Sequence, residues 1–127
     1  MLLTPTCALC GHGGQAVCPA CAAALAPARP LPVPLGVDSC IALLDYSSAR
    51  PLVTALKNGD RRDLVSWCAA GLAAAAEPGN LEVVTWAPTG RDRRLRRGYD
   101  HAELLARAGI DVVQDRCLLV ELRRIGR

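Results

Sequence analysis

Two C-x-x-C pairs near the start of this chain, Cys7-Ala8-Leu9-Cys10 and Cys18-Pro19-Ala20-Cys21, constrain its folding more than any other feature. Two residues between cysteines form a turn tight enough to aim both thiolates at one ion. Two such turns facing each other complete the tetrahedral four-sulfur shell that structural zinc prefers. Seven residues separate the pairs, so the chain must double back between them in a tight hairpin around Gly11, Gly13 and Gly14. Gly11, directly after Cys10, supplies the positive φ that such a knuckle commonly needs. A redox dithiol competes with metal binding for a single C-x-x-C, whereas two pairs in register point to metal. His12 reads as a solvated loop residue, because four thiolates already fill the shell. A filled shell leaves no open position for water, so the zinc expected here is structural.

The remaining cysteines, Cys40, Cys68 and Cys117, stand alone among aliphatic neighbours and are expected to be small core hydrophobes. Seven cysteines are an odd number, better suited to thiols and metal ligands in a reducing compartment than to a disulfide framework. The first residues lack the basic start and apolar stretch of a signal peptide. The longest apolar run, residues 68–76, is about half the ~18 residues of a membrane span. A cytoplasmic chain that does not cross a membrane is therefore expected. The chain is 51% hydrophobic but has no Phe, two Trp and two Tyr, so its core must be aliphatic.

Four prolines, Pro27, Pro30, Pro32 and Pro34, forbid a helix and favour an extended connection, which places a boundary at residue 34. Residues 39–46 are apolar and short enough for a strand. Ser47-Ser48 is a candidate N-cap for a helix with Ala49, Leu52, Val53 and Leu56 on one face, stopped near Gly59. A second helix runs to Ala76, with Leu64, Trp67, Cys68, Gly71, Leu72 and Ala75 along its apolar side. Residues 81–87 read as a strand. Asp100 caps a helix over residues 100–107, with Glu103 completing an acidic capping box, and residues 112–122 hold one or two strand pieces. This order predicts an α/β chain.

Formal charge is +3, from 15 Lys and Arg against 12 Asp and Glu. Its placement is more informative than its total, because five arginines fall between Arg91 and Arg97. This run leaves the end of one strand and enters a helix N-terminus, an edge at which open α/β sheets bind ligands. Guanidinium groups there would serve a phosphate, a pyrophosphate or a nucleic-acid backbone.

The order of motifs resembles the ComF family of phosphoribosyltransferase-like proteins, which carry an N-terminal zinc ribbon. The matching residues are the doubled C-x-x-C, Ala55-Leu56-Lys57-Asn58-Gly59, Thr85-Trp86-Ala87-Pro88-Thr89, and Arg97-Gly98-Tyr99-Asp100-His101-Ala102-Glu103-Leu104-Leu105-Ala106. Tyr99 and His101 stand where the family usually has Phe and Gln.

The resemblance implies a four-cysteine zinc ribbon with its Pro-rich connection (residues 1–34) followed by the first part of a type I phosphoribosyltransferase-like α/β fold (residues 35–127). It further implies a pyrophosphate-binding loop containing Arg91, Arg94, Arg96, Arg97 and Gly98, with Lys57 as a basic residue of the upstream helix end. The implied ligand is phosphoribosyl pyrophosphate or another phosphate-bearing molecule, with Mg2+ at a complete site. The resemblance assigns no catalytic residue. Residues 110–127 contain no adjacent acids followed by a Thr/Gly-rich loop, the segment that grips the ribose and its 5′-phosphate in such enzymes. The expectation is a C-terminally truncated, catalytically incomplete member whose uncovered sheet edge promotes self-association. The alternative is a non-enzymatic, zinc-stabilised module that binds single-stranded DNA or a DNA-uptake protein.

Overall fold

The computed structural model describes residues 4–76, 81–114 and 121–122. Its elements are α1 (Pro19–Ala24), α2 (Tyr46–Asn58), α3 (Leu64–Ala75), β1 (Val83–Val84), α4 (Arg91–Arg97), α5 (His101–Gln114) and β2 (Glu121–Leu122). The described residues form a largely helical fold with little strand. β1 and β2 pair in parallel, Val83 opposite Glu121 and Val84 opposite Leu122. Two strands of two residues are too little sheet to identify a phosphoribosyltransferase-like fold.

The core is aliphatic, as the composition requires, with Trp86 and Tyr99 as its buried aromatic members. Leu52 and Leu56 of α2 pack with Leu64 and Val65 of α3 and with Val17, which lies between the cysteine pairs. Leu9, Ala16 and Ala22 pack against the same cluster and root the cysteine segment on the helices. The Arg61 guanidinium also donates to the Thr6 carbonyl while clamping Asp63 at 2.9 and 2.8 Å. A second cluster joins Ala73 of α3 to Ile110 and Val113 of α5.

Several local expectations are corrected. Residues 39–46 form no strand; Leu44 makes an isolated antiparallel bridge to Pro27, held by the Ala28 N–H on the Leu43 carbonyl and the Asp45 N–H on the Ala26 carbonyl. Pro30, at the next donating position, has no N–H to extend the ladder. Asp45, rather than Ser47 or Ser48, occupies the N-cap of α2. Ser48 Oγ instead accepts the Ala26 N–H at 3.1 Å. Cys40 is exposed and Cys68 only half-buried, while Cys117 lies outside the described residues. On α3 the buried positions are Leu64, Val65, Ala69 and Ala73, and Leu72 is exposed. That helix is apolar almost all round, so periodicity alone could not select its inner face. Residues 112–114, expected as strand, continue α5; of the rest of that stretch, 121–122 form β2 and 115–120 lie outside the described residues. An interior Gly109 costs about 1 kcal/mol of helix propensity, which burial of Ile110 and Val113 offsets.

Candidate metal centre and basic cleft

The first cysteine pair sits in a small hairpin in which Thr6 bridges Gly13. The Gly11 N–H donates to the Cys7 carbonyl and the Cys7 N–H to the His12 carbonyl, each at 2.8 Å. Gly11 takes φ 78°, a left-handed conformation that would strain a residue with a Cβ. The second pair is set by α1, with Cys18 at the N-cap, Pro19 in the first turn and Cys21 inside the helix.

Together these turns bring the sulfurs of Cys7, Cys10, Cys18 and Cys21 within 4.8 Å of one another. Cys10 and Cys18 Sγ lie 3.7 Å apart. A tetrahedron with Zn–S bonds of about 2.3 Å has edges of roughly 3.8 Å, so the four cysteines are positioned to bind a metal ion. The Cys18 N–H donates to Cys7 Sγ at 3.3 Å, and this bond helps draw the Cys7 thiol down to about 6. Hydrogen bonds with the Cys18 and Cys10 thiols push Cys21 up to about 12. His12 is exposed and stands outside this cluster.

The expected arginine loop is a helix. Residues 91–97 form α4, with Asp92 in its first turn and Arg94, Arg96 and Arg97 in its last, a distribution the helix dipole favours. Gly98 ends α4 in the left-handed region at φ 77°, its N–H bonded to the Arg94 carbonyl. The chain on either side is clamped: the Asp100 carboxylate accepts from the Thr89 N–H at 2.9 Å and the Thr89 hydroxyl at 2.8 Å. The same carboxylate caps α5 through the Ala102 and Glu103 N–H groups. Burial alone would raise the Asp100 carboxyl, but the bonds from Thr89, Glu103 and Ala102 outweigh it and hold it below the usual carboxylate range. Glu103 turns to Arg107, at 2.9 and 3.0 Å.

Between α2 and α4 lies a cleft of ≈ 430 Å³ lined by Lys57, Asn58, Asp60, Arg93, Arg96, Arg97 and Tyr99, within the size range of small-molecule sites. Arg93, Arg96 and Arg97 are spaced i, i+3, i+4 and share one helical face. Of the expected anion-site residues, Lys57, Arg96 and Arg97 therefore meet there. Arg91 and Arg94 are not among the lining residues, and Gly98 serves as the helix stop. Arg93, one of the five arginines of the run but not among those the resemblance assigned, also lines the cleft, and helical spacing is the signal that groups it with Arg96 and Arg97; Asn58, Asp60 and Tyr99 join without having been expected there.

Among the lining residues Asp60 is the single carboxylate, and it pairs with Arg62 at 3.1 Å. Mg2+ commonly uses one or two carboxylates together with substrate phosphates. A lining of four cations around one already paired carboxylate does not fit a Mg2+ site.

No helix among the described residues is long and apolar enough to cross a membrane. No family model, curated protein or solved structure matches the chain.

Proposed function

We propose that this is a ComF-like protein of the phosphoribosyltransferase family in which Cys7, Cys10, Cys18 and Cys21 hold a structural zinc ion and the α2–α4 cleft captures a pyrophosphate or another phosphate-bearing group. The observation that carries the binding assignment is the convergence of Lys57 with Arg93, Arg96 and Arg97 on one cleft. Like charges three and four residues apart repel on a helix, and a bound anion relieves that repulsion while accepting charge-assisted hydrogen bonds. The zinc assignment rests on an all-sulfur donor set of tetrahedral dimensions. Zinc would hold the cysteine segment in shape, and Val17 and Leu9 would transmit that order to the packing of α2.

Exposed Arg91 and Leu95 on α4 support a second reading, a contact with single-stranded DNA. Salt dependence separates the two: affinity for an oligonucleotide falls steeply with salt in proportion to the phosphates neutralised. Competing pyrophosphate against a labelled single-stranded oligonucleotide at two salt concentrations tests them directly. The small-anion reading expects pyrophosphate to bind and to lose less affinity with salt. Tight oligonucleotide binding that pyrophosphate does not displace would favour the DNA reading.

A further inference from the structure

His101 is the first residue of α5 and lies half-buried beside the cleft. Its Nδ1 is 3.2 Å from Arg97 Nη1. A guanidinium has donors and no acceptor, so this contact is a hydrogen bond only when Nδ1 carries a lone pair. The neutral ring thus holds the Arg97 side chain from behind. Protonation would break that hydrogen bond and add a positive charge next to the cleft, so the protonated ring suits the occupied cleft, where a bound anion accepts from Arg97 and takes over the hold on its side chain.

We propose that His101 is the positioning residue of the anion cleft, anchoring Arg97 when neutral and coupling anion capture to proton uptake when the ligand arrives. The inference rests on the anion-binding reading above. The charged groups facing the imidazole are Lys57 from α2, Arg97 from α4 and Asp100 at the cap of α5. Burial first, then the charges of Lys57 and Arg97, hold His101 below the ordinary imidazole value, against an opposing pull from Asp100. A dianion between Lys57 and Arg97 offsets the two repulsive charges, so the bound state takes up a proton more readily than the free state. Affinity therefore gains as pH falls through and below the ordinary imidazole range, near ~6.5.

Sulfate is a suitable probe because its own charge is constant over this range. Calorimetric titration of the full chain with sulfate between about pH 8 and about pH 5.5 should show affinity rising roughly fivefold or more. His101→Gln, which can still offer Arg97 an acceptor, should match wild type at the upper pH and stay flat below it. His101→Leu should bind more weakly even at the upper pH. Circular dichroism verifies that each variant keeps its helices. Independently of any variant, the His101 imidazole resonance should titrate at higher pH with sulfate present. A His101→Gln protein that retains the wild-type rise, or an imidazole titration indifferent to sulfate, overturns the proposal. If wild type takes up no sulfate at any pH, the anion-binding reading falls with it. If sulfate binds and Arg97→Ala weakens it while the pH profile ignores His101, only this inference fails.

Discussion

The Tyr99 hydroxyl donates to the backbone carbonyl of Leu56, tying the exit of α4 to the last turn of α2. That carbonyl belongs to the helix end, where no intrahelical donor is available. Tyr99 is buried, and the Arg62 guanidinium lies 4.6 Å from its ring centroid, a distance at which a cation is attracted to the ring face. The hydrogen bond fixes the helix end that brings Lys57, one residue on, into the cleft that Arg97 also lines.

Tyr99→Phe should destabilise the chain by about 1–2 kcal/mol, the usual loss when a buried acceptor is left unpaired. It should also weaken pyrophosphate binding without removing any charge from the cleft. Denaturant titration and calorimetry on the same preparation measure the two effects. Unchanged stability and affinity would mean that the contact does not hold the helices in register.

The clamp at Asp100 predicts a pH effect. Its carboxyl is held below the usual range, so the stabilisation is fully present above the unfolded value of about 3.9 and is lost as pH falls through the lower folded value. Asp100→Ala should cost about 1–2 kcal/mol at neutral pH through loss of the cap. Asp100→Asn should lose less, and its stability should fall less steeply on acidification. Thermal unfolding as a function of pH compares the three proteins, and parallel curves would contradict the assignment.

Sequence spacing locates the metal cluster because ligand separation and Gly11 are local properties that tertiary packing does not need to supply. The Asp100 cap is legible for the same reason. The basic cleft is legible only in part. A loop over residues 91–97 has no face for Arg93, Arg96 and Arg97 to share, and nothing local announces that Tyr99 reaches back to Leu56. The strand expected at residues 39–46 follows from its apolar run, but its partner is the proline segment, where Ala28 donates to Leu43 and Pro30 has no N–H to carry the ladder further. The inner face of α3 is hidden because apolar or small residues occupy nearly all its sides, Ser66 being its one polar side chain.

Metal removal should disorganise the cysteine segment and, through Val17, loosen α2 and α3. Structural zinc in small domains contributes about 10–16 kcal/mol of apparent binding free energy at neutral pH. Cys18→Ser should therefore lose most of its zinc affinity, because it removes one ligand and with it the 3.7 Å contact between the Cys10 and Cys18 sulfurs. Ligand thiols must be deprotonated, so zinc should be released on acidification. Metal analysis of protein purified without chelator, followed by competition with a chromogenic chelator, checks both statements. Protein that holds no zinc, or a serine variant with undiminished affinity, would contradict them.

The central claim is that α2 and α4 together form one anion site, and calorimetric titration with pyrophosphate tests it most directly. Lys57→Ala and Arg97→Ala should each weaken binding about tenfold or more, since a hydrogen bond to a charged group contributes roughly 1.5–3 kcal/mol. Arg91→Ala, which removes the same charge as Arg97→Ala from outside the cleft lining, should change affinity much less. Equal losses for Arg91→Ala and Arg97→Ala, or full affinity in Lys57→Ala, would contradict the account.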